Sequence, residues 1–312
     1  MRVLVTGGAG FIGSHLTDAL LTRGDEVVVV DDLSAGQVAR LDSQLTLHKV
    51  SITDRASLTA VVRAAKPELI CHLAAQIDVR VSVDQPEHDA QVNVVGTVNV
   101  LEASRAAGAR VVFASSGGAL YGRDAPIPSR EGVLPLPESP YGIAKFCAEQ
   151  YISLYNRLHG TRHAVLRLAN VYGPRQDPAG EAGVITIFCA RALQGEEPVI
   201  YGDGSQTRDY VYVGDVVRAF LAAADSDRPG TWNIGAGAEV SVLDLVSIIA
   251  GLAGHPVTPR FDPARPGELL RSSVAVDRAR RDLGWQPRMP LADGVRAVYE
   301  WIEAGAPIRA AC

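Results

Sequence analysis

Cysteine is scarce in this chain of 312 residues. Cys71, Cys147, Cys189 and Cys312 form no C-x-x-C pair, and none stands beside a histidine at metal-ligand spacing, so neither a disulfide framework nor a metal site is expected. Free thiols suit a reducing compartment, and a cytoplasmic location is the expectation. Positive charge is also in short supply. Lys+Arg 30 against Asp+Glu 35 leaves a net charge of -5, with no basic excess to neutralise a phosphate backbone, which argues against nucleic acid as a partner. No apolar run approaches the ~18 residues of a membrane span. Arg2 is the only charge ahead of an apolar run that already begins at residue 3, so no secretory signal is expected. Internal repeats, low-complexity tracts and long charge runs are absent as well. What remains is 47% hydrophobic with Gly 30 and Pro 18, an ordinary α/β make-up, in a length that allows one large domain and a smaller lobe.

Apolar runs and helical periodicity alternate through the first half. Short strands are predicted at 3–5, 27–30, 46–50, 69–73, 110–115 and 164–169. Helices are predicted at 11–22, 56–65, 90–107 and 141–159, with Gly24, Pro67 and Gly108 as stop signals. Strand and helix in strict exchange imply a doubly wound, mainly parallel sheet covered on both faces. After about residue 170 the pattern loosens. Helices at 185–194, beyond Asp215, at 241–252 and at 291–303, with short strands at 199–200 and 231–234, form a smaller interleaved α/β lobe set against the sheet's C-terminal edge. The expected division is 1–170, with returning segments about 208–235, for the sheet domain and 171–312 mainly for the second lobe.

The first predicted strand runs into Gly7, Gly10 and Gly13, a G-x-x-G-x-x-G loop that opens a helix. The tight turn, the close approach of a pyrophosphate and the helix–strand contact each exclude a Cβ, and the helix N-terminus offers free amides to phosphate. Asp31 closes the second strand, where a carboxylate accepts from the adenosine ribose and repels a 2′-phosphate. A Rossmann-type site for NAD rather than NADP is expected. Asp32 beside it is equally well read as a solvated neighbour.

Tyr141 and Lys145 follow Ser139-Pro140, one helical turn apart on one face. A phenol with a pKa of about 10 is a poor base at neutral pH. A neighbouring ammonium favours the phenolate. Such a pair can move a proton on and off a hydroxyl.

With these pieces in order, the chain resembles the extended short-chain dehydrogenase/reductase family, and within it the NAD-dependent UDP-sugar 4-epimerases. The resemblance spans nearly the whole chain. It also rests on His72-Leu73-Ala74-Ala75, Asn93-Val94-Val95-Gly96-Thr97, Ser115-Ser116 before Tyr121-Gly122, Asn170-Val171-Tyr172-Gly173-Pro174-Arg175, the stretch 201–211, and Arg265-Pro266-Gly267-Glu268.

The resemblance implies Tyr141 as base, Lys145 beside it and a hydroxyl from Ser116. It implies a cofactor site of Gly7, Gly10, Phe11, Ile12, Gly13, Asp31, Asp32, Ser34, Gly36, Ser51, Ile52, Leu73, Ala74, Ala75, Asn93 and Ser115, together with Tyr141 and Lys145. Ala74, Ala75 and Asn93 would line the nicotinamide end, and Ser115 would face the cofactor. Ser116, Gly117, Tyr141, Asn170, Arg208, Arg265 and Glu268 would meet the nucleotide sugar, with the arginines and Asn170 on its diphosphate. The helices at 90–107 and 141–159 resemble those that pair across a homodimer as a four-helix bundle, and their apolar faces equally fit packing on their own sheet.

Two positions depart from the family. Ser51 stands where relatives place an acid contacting adenine, and Gly117 stands where they place the catalytic hydroxyl, which moves that role to Ser116. Gly118 and Ala119 replace the carboxylates that dehydratase and decarboxylase relatives use for elimination. Epimerisation at C4 of a UDP-hexose is therefore expected. UDP-glucose/UDP-galactose is the first choice; Ser272, in place of a bulky tyrosine, suggests a roomier pocket and leaves a UDP-glucuronate or N-acetylhexosamine pair open. A net nucleotide-sugar reductase, or a non-catalytic NAD-binding protein, is the reading of another class.

Overall fold

The computed structural model describes residues 1–177, 183–264 and 269–305. β1 (Arg2–Thr6) is buried on both faces from Val3 onward, as the interior of a parallel sheet requires. It feeds α1 (Phe11–Thr22), and β2 (Glu26–Asp31) returns beside it. β3 (Thr46–Lys49), α2 (Arg55–Ala65) and β4 (Leu69–His72) continue the alternation. α3 (Val79–Asp84) and α4 (Pro86–Ala90) lead into a π-helical turn at Gln91–Val95 and then α5 (Gly96–Ala107). β5 (Arg110–Ser116), the short α6 (Gly117–Leu120), α7 (Pro140–His159) and β6 (Ala164–Leu168) complete the first half.

Beyond it come β7 (Asn170–Tyr172), α8 (Val184–Gln194), β8 (Val199–Tyr201), β9 (Thr207–Arg208), β10 (Tyr210–Tyr212), α9 (Val213–Asp225) and β11 (Gly230–Ile234). β12 (Val240–Ser241), α10 (Val242–Ala253), β13 (Arg260–Asp262), α11 (Asp277–Leu283) and α12 (Leu291–Glu303) follow.

The central sheet has seven strands in the order β11-β6-β5-β4-β1-β2-β3, all parallel. The chain winds from β1 through β2 to β3 on one side and from β4 outward on the other. The order therefore reverses between β1 and β4, and a crevice opens at their C-terminal ends, where such sheets bind ligands. Leu16 and Leu20 of α1 and Phe220 of α9 pack one face of the sheet, and Val62 of α2, Leu101 of α5 and Ile152 of α7 pack the other. A separate core joins Phe188 of α8, Leu245 and Ile249 of α10, and Val295 and Val298 of α12. The small pairs β7–β10, β9–β12 and β8–β13 sit with this second set of helices. Among the described residues no helix is long and apolar enough to cross a membrane.

One element differs from its expectation. The helix predicted over 90–107 is interrupted by the π turn at Gln91–Val95. The widened turn carries Asn93, which is buried with its amide on the loop after β4. A 3.6-residue period is silent about one inserted residue.

Candidate active site

The glycine loop is shaped by what stands over it. Gly7 has φ +73, and a Cβ there would lie 2.6 Å from the Ala74 amide nitrogen. A Cβ at Gly13 would lie 2.1 Å from the Gly7 carbonyl oxygen. Gly10 begins α1 with no side-chain cap, so the first amides of a twelve-residue helix keep their donors for another group. Asp31 ends β2 almost fully buried; its Oδ2 accepts from the Ala9 amide at 3.0 Å and its Oδ1 from the Leu33 amide at 2.8 Å. Burial raises its carboxyl above the ordinary range, and those two amides oppose the rise. Gly36 crosses this carboxylate so closely that a Cβ would sit 2.7 Å from Oδ1. A backbone cradle of this kind, with a held carboxylate at its far end, fits a dinucleotide.

Neighbouring residues divide. Asp32 Oδ1 accepts from the Ser34 amide and hydroxyl in an exposed turn, so these two face each other. Ser51 shares a hydrogen bond with Thr53 at 2.9 Å. Ile52 packs its side chain inward. It is buried against Gly96 of α5, and its carbonyl accepts from Asn99 at 3.0 Å. The Leu73 amide donates to the Thr6 carbonyl, and the Ala74 amide to Thr6 Oγ1, which lays Leu73, Ala74 and Ala75 along the crevice beside Gly7.

Tyr141 and Lys145 stand in the first turns of α7. Ser139 caps that helix, its Oγ accepting from the Gly142 amide at 3.1 Å, and Pro140 occupies the first turn. Gly142 lets α7 settle onto α6, since a Cβ there would lie 2.5 Å from the Ala119 carbonyl oxygen. Lys145 is buried. Its ammonium donates to the Ala114 carbonyl at 3.0 Å and lies 4.8 Å from the Phe113 ring centre and 5.8 Å from that of Tyr141. Burial pulls its pKa down to about 8 against the attraction of Asp89 and Glu149.

Ser116 caps α6 with its Oγ accepting from the Ala119 amide at 3.2 Å, which leaves the hydroxyl proton free to donate elsewhere. Gly117 is pressed against β6 and Val274, where a Cβ would stand 3.0 Å from Val274 Cγ1. A larger residue at 117 would have to displace that wall, and the hydroxyl stands one place earlier.

Two expected cofactor residues are tied to buried side chains. Ser115 donates its hydroxyl to Glu149 Oε1 at 2.5 Å, which ties it into a buried ionic group. Asn93 accepts from the Gln76 amide at 3.0 Å and donates to the Gln76 carbonyl at 2.8 Å and to Asp89 Oδ1 at 2.9 Å. Its amide is spent on holding the loop after β4. His72 lies beneath that loop, with Nδ1 at 2.7 Å from Thr6 Oγ1 and Nε2 at 3.1 Å from Thr97 Oγ1. Burial, with Lys145 adding, lowers its pKa to about 3, so it is neutral.

The residues that sequence reasoning missed are the supports: Gln76, Asp89, Glu149, Arg167 and Tyr121. Arg167 pairs with Glu149 through Nη2–Oε2 at 2.6 Å, and Nη1 donates to the Tyr121 hydroxyl at 2.9 Å. Tyr121 in turn donates to Asn233 Oδ1 at 2.7 Å. The one available signal was a charged residue on an otherwise buried face, Glu149 being one turn beyond Lys145.

Asn170 is exposed on β7, and a Cβ on Gly118 would lie 3.4 Å from its Oδ1, so it overlooks α6. Arg208 is half-buried on β9 and donates to the Thr207 carbonyl at 2.8 Å. Arg265 and Glu268 lie outside the described residues. Asp31→Asn should weaken NAD binding by roughly ten- to a hundredfold and narrow the preference over NADP, as read by calorimetric titration with each dinucleotide. Equal affinity of mutant and wild type for NAD would remove Asp31 from the cofactor site.

Residues 3–235 match the NAD dependent epimerase/dehydratase family. The UDP-glucose 4-epimerase of Mycolicibacterium smegmatis is 48% identical over 308 residues, covering 96% of this chain and 98% of that protein. Among solved structures, the UDP-glucose 4-epimerase of Thermotoga maritima with UDP-glucose superposes with a TM-score of 0.96 at 43% identity, over 97% of this chain and 99% of the other. The UDP-glucose 4-epimerase of Thermus thermophilus in complex with NAD gives 0.92 at 41% identity, over 98% and 100%.

Proposed function

The chain belongs to the NAD-dependent epimerase/dehydratase family, and from that premise we propose that it interconverts UDP-glucose and UDP-galactose by inverting C4, with NAD as resident cofactor. The observation that carries this is Tyr141 and Lys145 in the first turns of α7, packed on the short α6 that Ser116 caps, with no carboxylate at Gly118 or Ala119. Elimination and decarboxylation need an added acid or base there; epimerisation needs none.

Gly7, Gly10 and Gly13 would cradle the pyrophosphate of NAD, and Asp31 would take its adenosine ribose. The chemistry NAD supplies when bound is reversible exchange of hydride with the sugar C4. Tyr141 removes the proton of the C4 hydroxyl and later returns it. The Lys145 ammonium favours the phenolate on Tyr141 between those events. Ser116 donates a hydrogen bond to the same sugar oxygen. Asn170 and Arg208 hold the diphosphate, so that the 4-keto ring turns over while still tethered, C4 regains its hydride on the opposite face, and Tyr141 returns the proton to the C4 oxygen.

Purified protein incubated with UDP-glucose should yield UDP-galactose by NMR with no net change in NADH. Stoichiometric NADH without a 4-epimer would defeat the proposal. Turnover of UDP-glucuronate or UDP-N-acetylglucosamine alone would move the substrate while keeping the reaction.

The proposal includes a homodimer. Val95 beside α5 and Ile143, Tyr151, Leu154 and Leu158 on α7 are exposed apolar residues on neighbouring elements. Sedimentation should give about twice the 33.1 kDa chain mass, and a monomer would exclude it. Free buried Cys71 and Cys189 suit a reducing interior, and the cytoplasm is the proposed location.

A further inference from the structure

Asp89 is a carboxylate without an assigned task. It lies on α4, immediately before the π turn, and is 1% exposed. Its Oδ1 accepts from Gln76 Nε2 at 2.8 Å and from Asn93 Nδ2 at 2.9 Å, both neutral amides. Its Oδ2 is buried and receives no donor. Among the described residues it makes no salt bridge, so its charge is carried into the interior without an ionic partner of its own. That is costly unless an opposite charge lies close by.

Lys145 is that opposite charge. Helix α4 packs against α7, and the Lys145 ammonium is as deeply buried as Asp89, with the Ala114 carbonyl as its hydrogen-bond acceptor among the described residues. The other groups around it leave Asp89 as the balancing anion. Glu149, on the same helix, already has its oxygens on the Arg167 guanidinium and the Ser115 hydroxyl. From β4, His72 is neutral and adds no negative charge. From β5 and α7, Phe113 and Tyr141 offer ring faces. Asp89 and Lys145 do not touch, and their attraction acts across an interior where charge is weakly screened.

We infer that Asp89 is a positioning residue for the proposed epimerase reaction: it is the buried counter-charge that keeps Lys145 an ammonium, and through it controls the proton affinity of Tyr141. The inference rests on the functional reading above, but its main test does not. Removing the anion makes the ammonium easier to deprotonate, so Lys145 titrates at lower pH. In turnover, the loss of rate on the alkaline side moves to lower pH in the same direction.

The chain has three lysines, Lys49, Lys66 and Lys145, and the first two are exposed. Protein labelled with 13C at lysine Cε therefore gives three signals, of which the buried one is identified by its shift and by its loss in Lys145→Met. In Asp89→Asn, an isostere that still accepts from Gln76 and Asn93, the Lys145 midpoint should fall by roughly half a pH unit or more. Asp89→Glu should return it toward wild type, and Asp89→Ser serves as the neutral variant if Asp89→Asn does not fold. An unchanged Lys145 midpoint in a folded neutral variant overturns the inference, even if that variant melts earlier or holds less NAD. The alkaline limb of kcat/KM for UDP-glucose should shift with the NMR midpoint; a limb that stays in place while the midpoint moves overturns the link to Tyr141. Wild-type protein that yields no 4-epimer defeats the functional reading instead, and leaves the Lys145 titration to stand or fall separately.

Discussion

Tyr141→Phe should reduce epimerisation by roughly a hundred- to ten-thousandfold while the purified protein still carries NAD. The substitution keeps the ring over which Lys145 lies at 5.8 Å and removes only the hydroxyl that would exchange a proton with the sugar. Binding of UDP-sugar should change little, so the loss falls on kcat and not on KM. Two measurements check this: initial rates by NMR of the anomeric sugar protons, and NAD content from the absorbance of the denatured protein. Turnover equal to wild type would remove Tyr141 as the base. Loss of NAD together with activity would assign the residue to the architecture of the crevice instead. Ser116→Ala is the smaller companion, because it removes one hydrogen bond to the same oxygen and leaves the proton acceptor in place.

Arg167→Met should cost about 3–5 kcal/mol of stability and lower the melting temperature by roughly ten degrees. The cause is the carboxylate it abandons. Glu149 is 4% exposed and meets Arg167 through bonds of 2.6, 2.9 and 3.1 Å. Burial works against the Arg167 charge, and Glu149 more than restores it, holding the guanidinium above its ordinary range. Without the arginine, Glu149 is a buried anion whose remaining donor is Ser115. Arg167→Met combined with Glu149→Leu should recover most of the loss, since an apolar pair of similar volume tolerates the same site. A double variant no more stable than Arg167→Met would show that the arginine's hold on Tyr121 and the Glu131 carbonyl is the larger contribution. Chemical denaturation with far-ultraviolet dichroism measures all three.

Much of the architecture was legible in the chain. Residues 3–5 are too short and too apolar for anything but a buried strand, and three spaced glycines after them leave a helix N-terminus open. The exchange of strand and helix to residue 169 carried through to a seven-stranded parallel sheet. The shift of the hydroxyl from Gly117 to Ser116 could be seen by counting, but its reason could not. A Cβ at Gly117 would press on Val274, more than a hundred and fifty residues further along the chain. The same holds for Asn93 and Ser115, whose hydrogen bonds to Gln76 and Glu149 join segments that no local motif connects. The packing of Ile52 into the gap that Gly96 leaves was likewise not legible in the chain.

The sequence by itself determined which residues have a chemistry to offer: the glycine loop, Asp31, and a tyrosine and lysine on one helical face. Those follow from covalent structure and local periodicity, which act over a few residues. Only the tertiary structure decided which charges face one another, with Asp89 and Glu149 both near Lys145 and one of them already neutralised by Arg167. Such pairings join distant segments, and their strength depends on burial, which no residue possesses until the chain is folded around it.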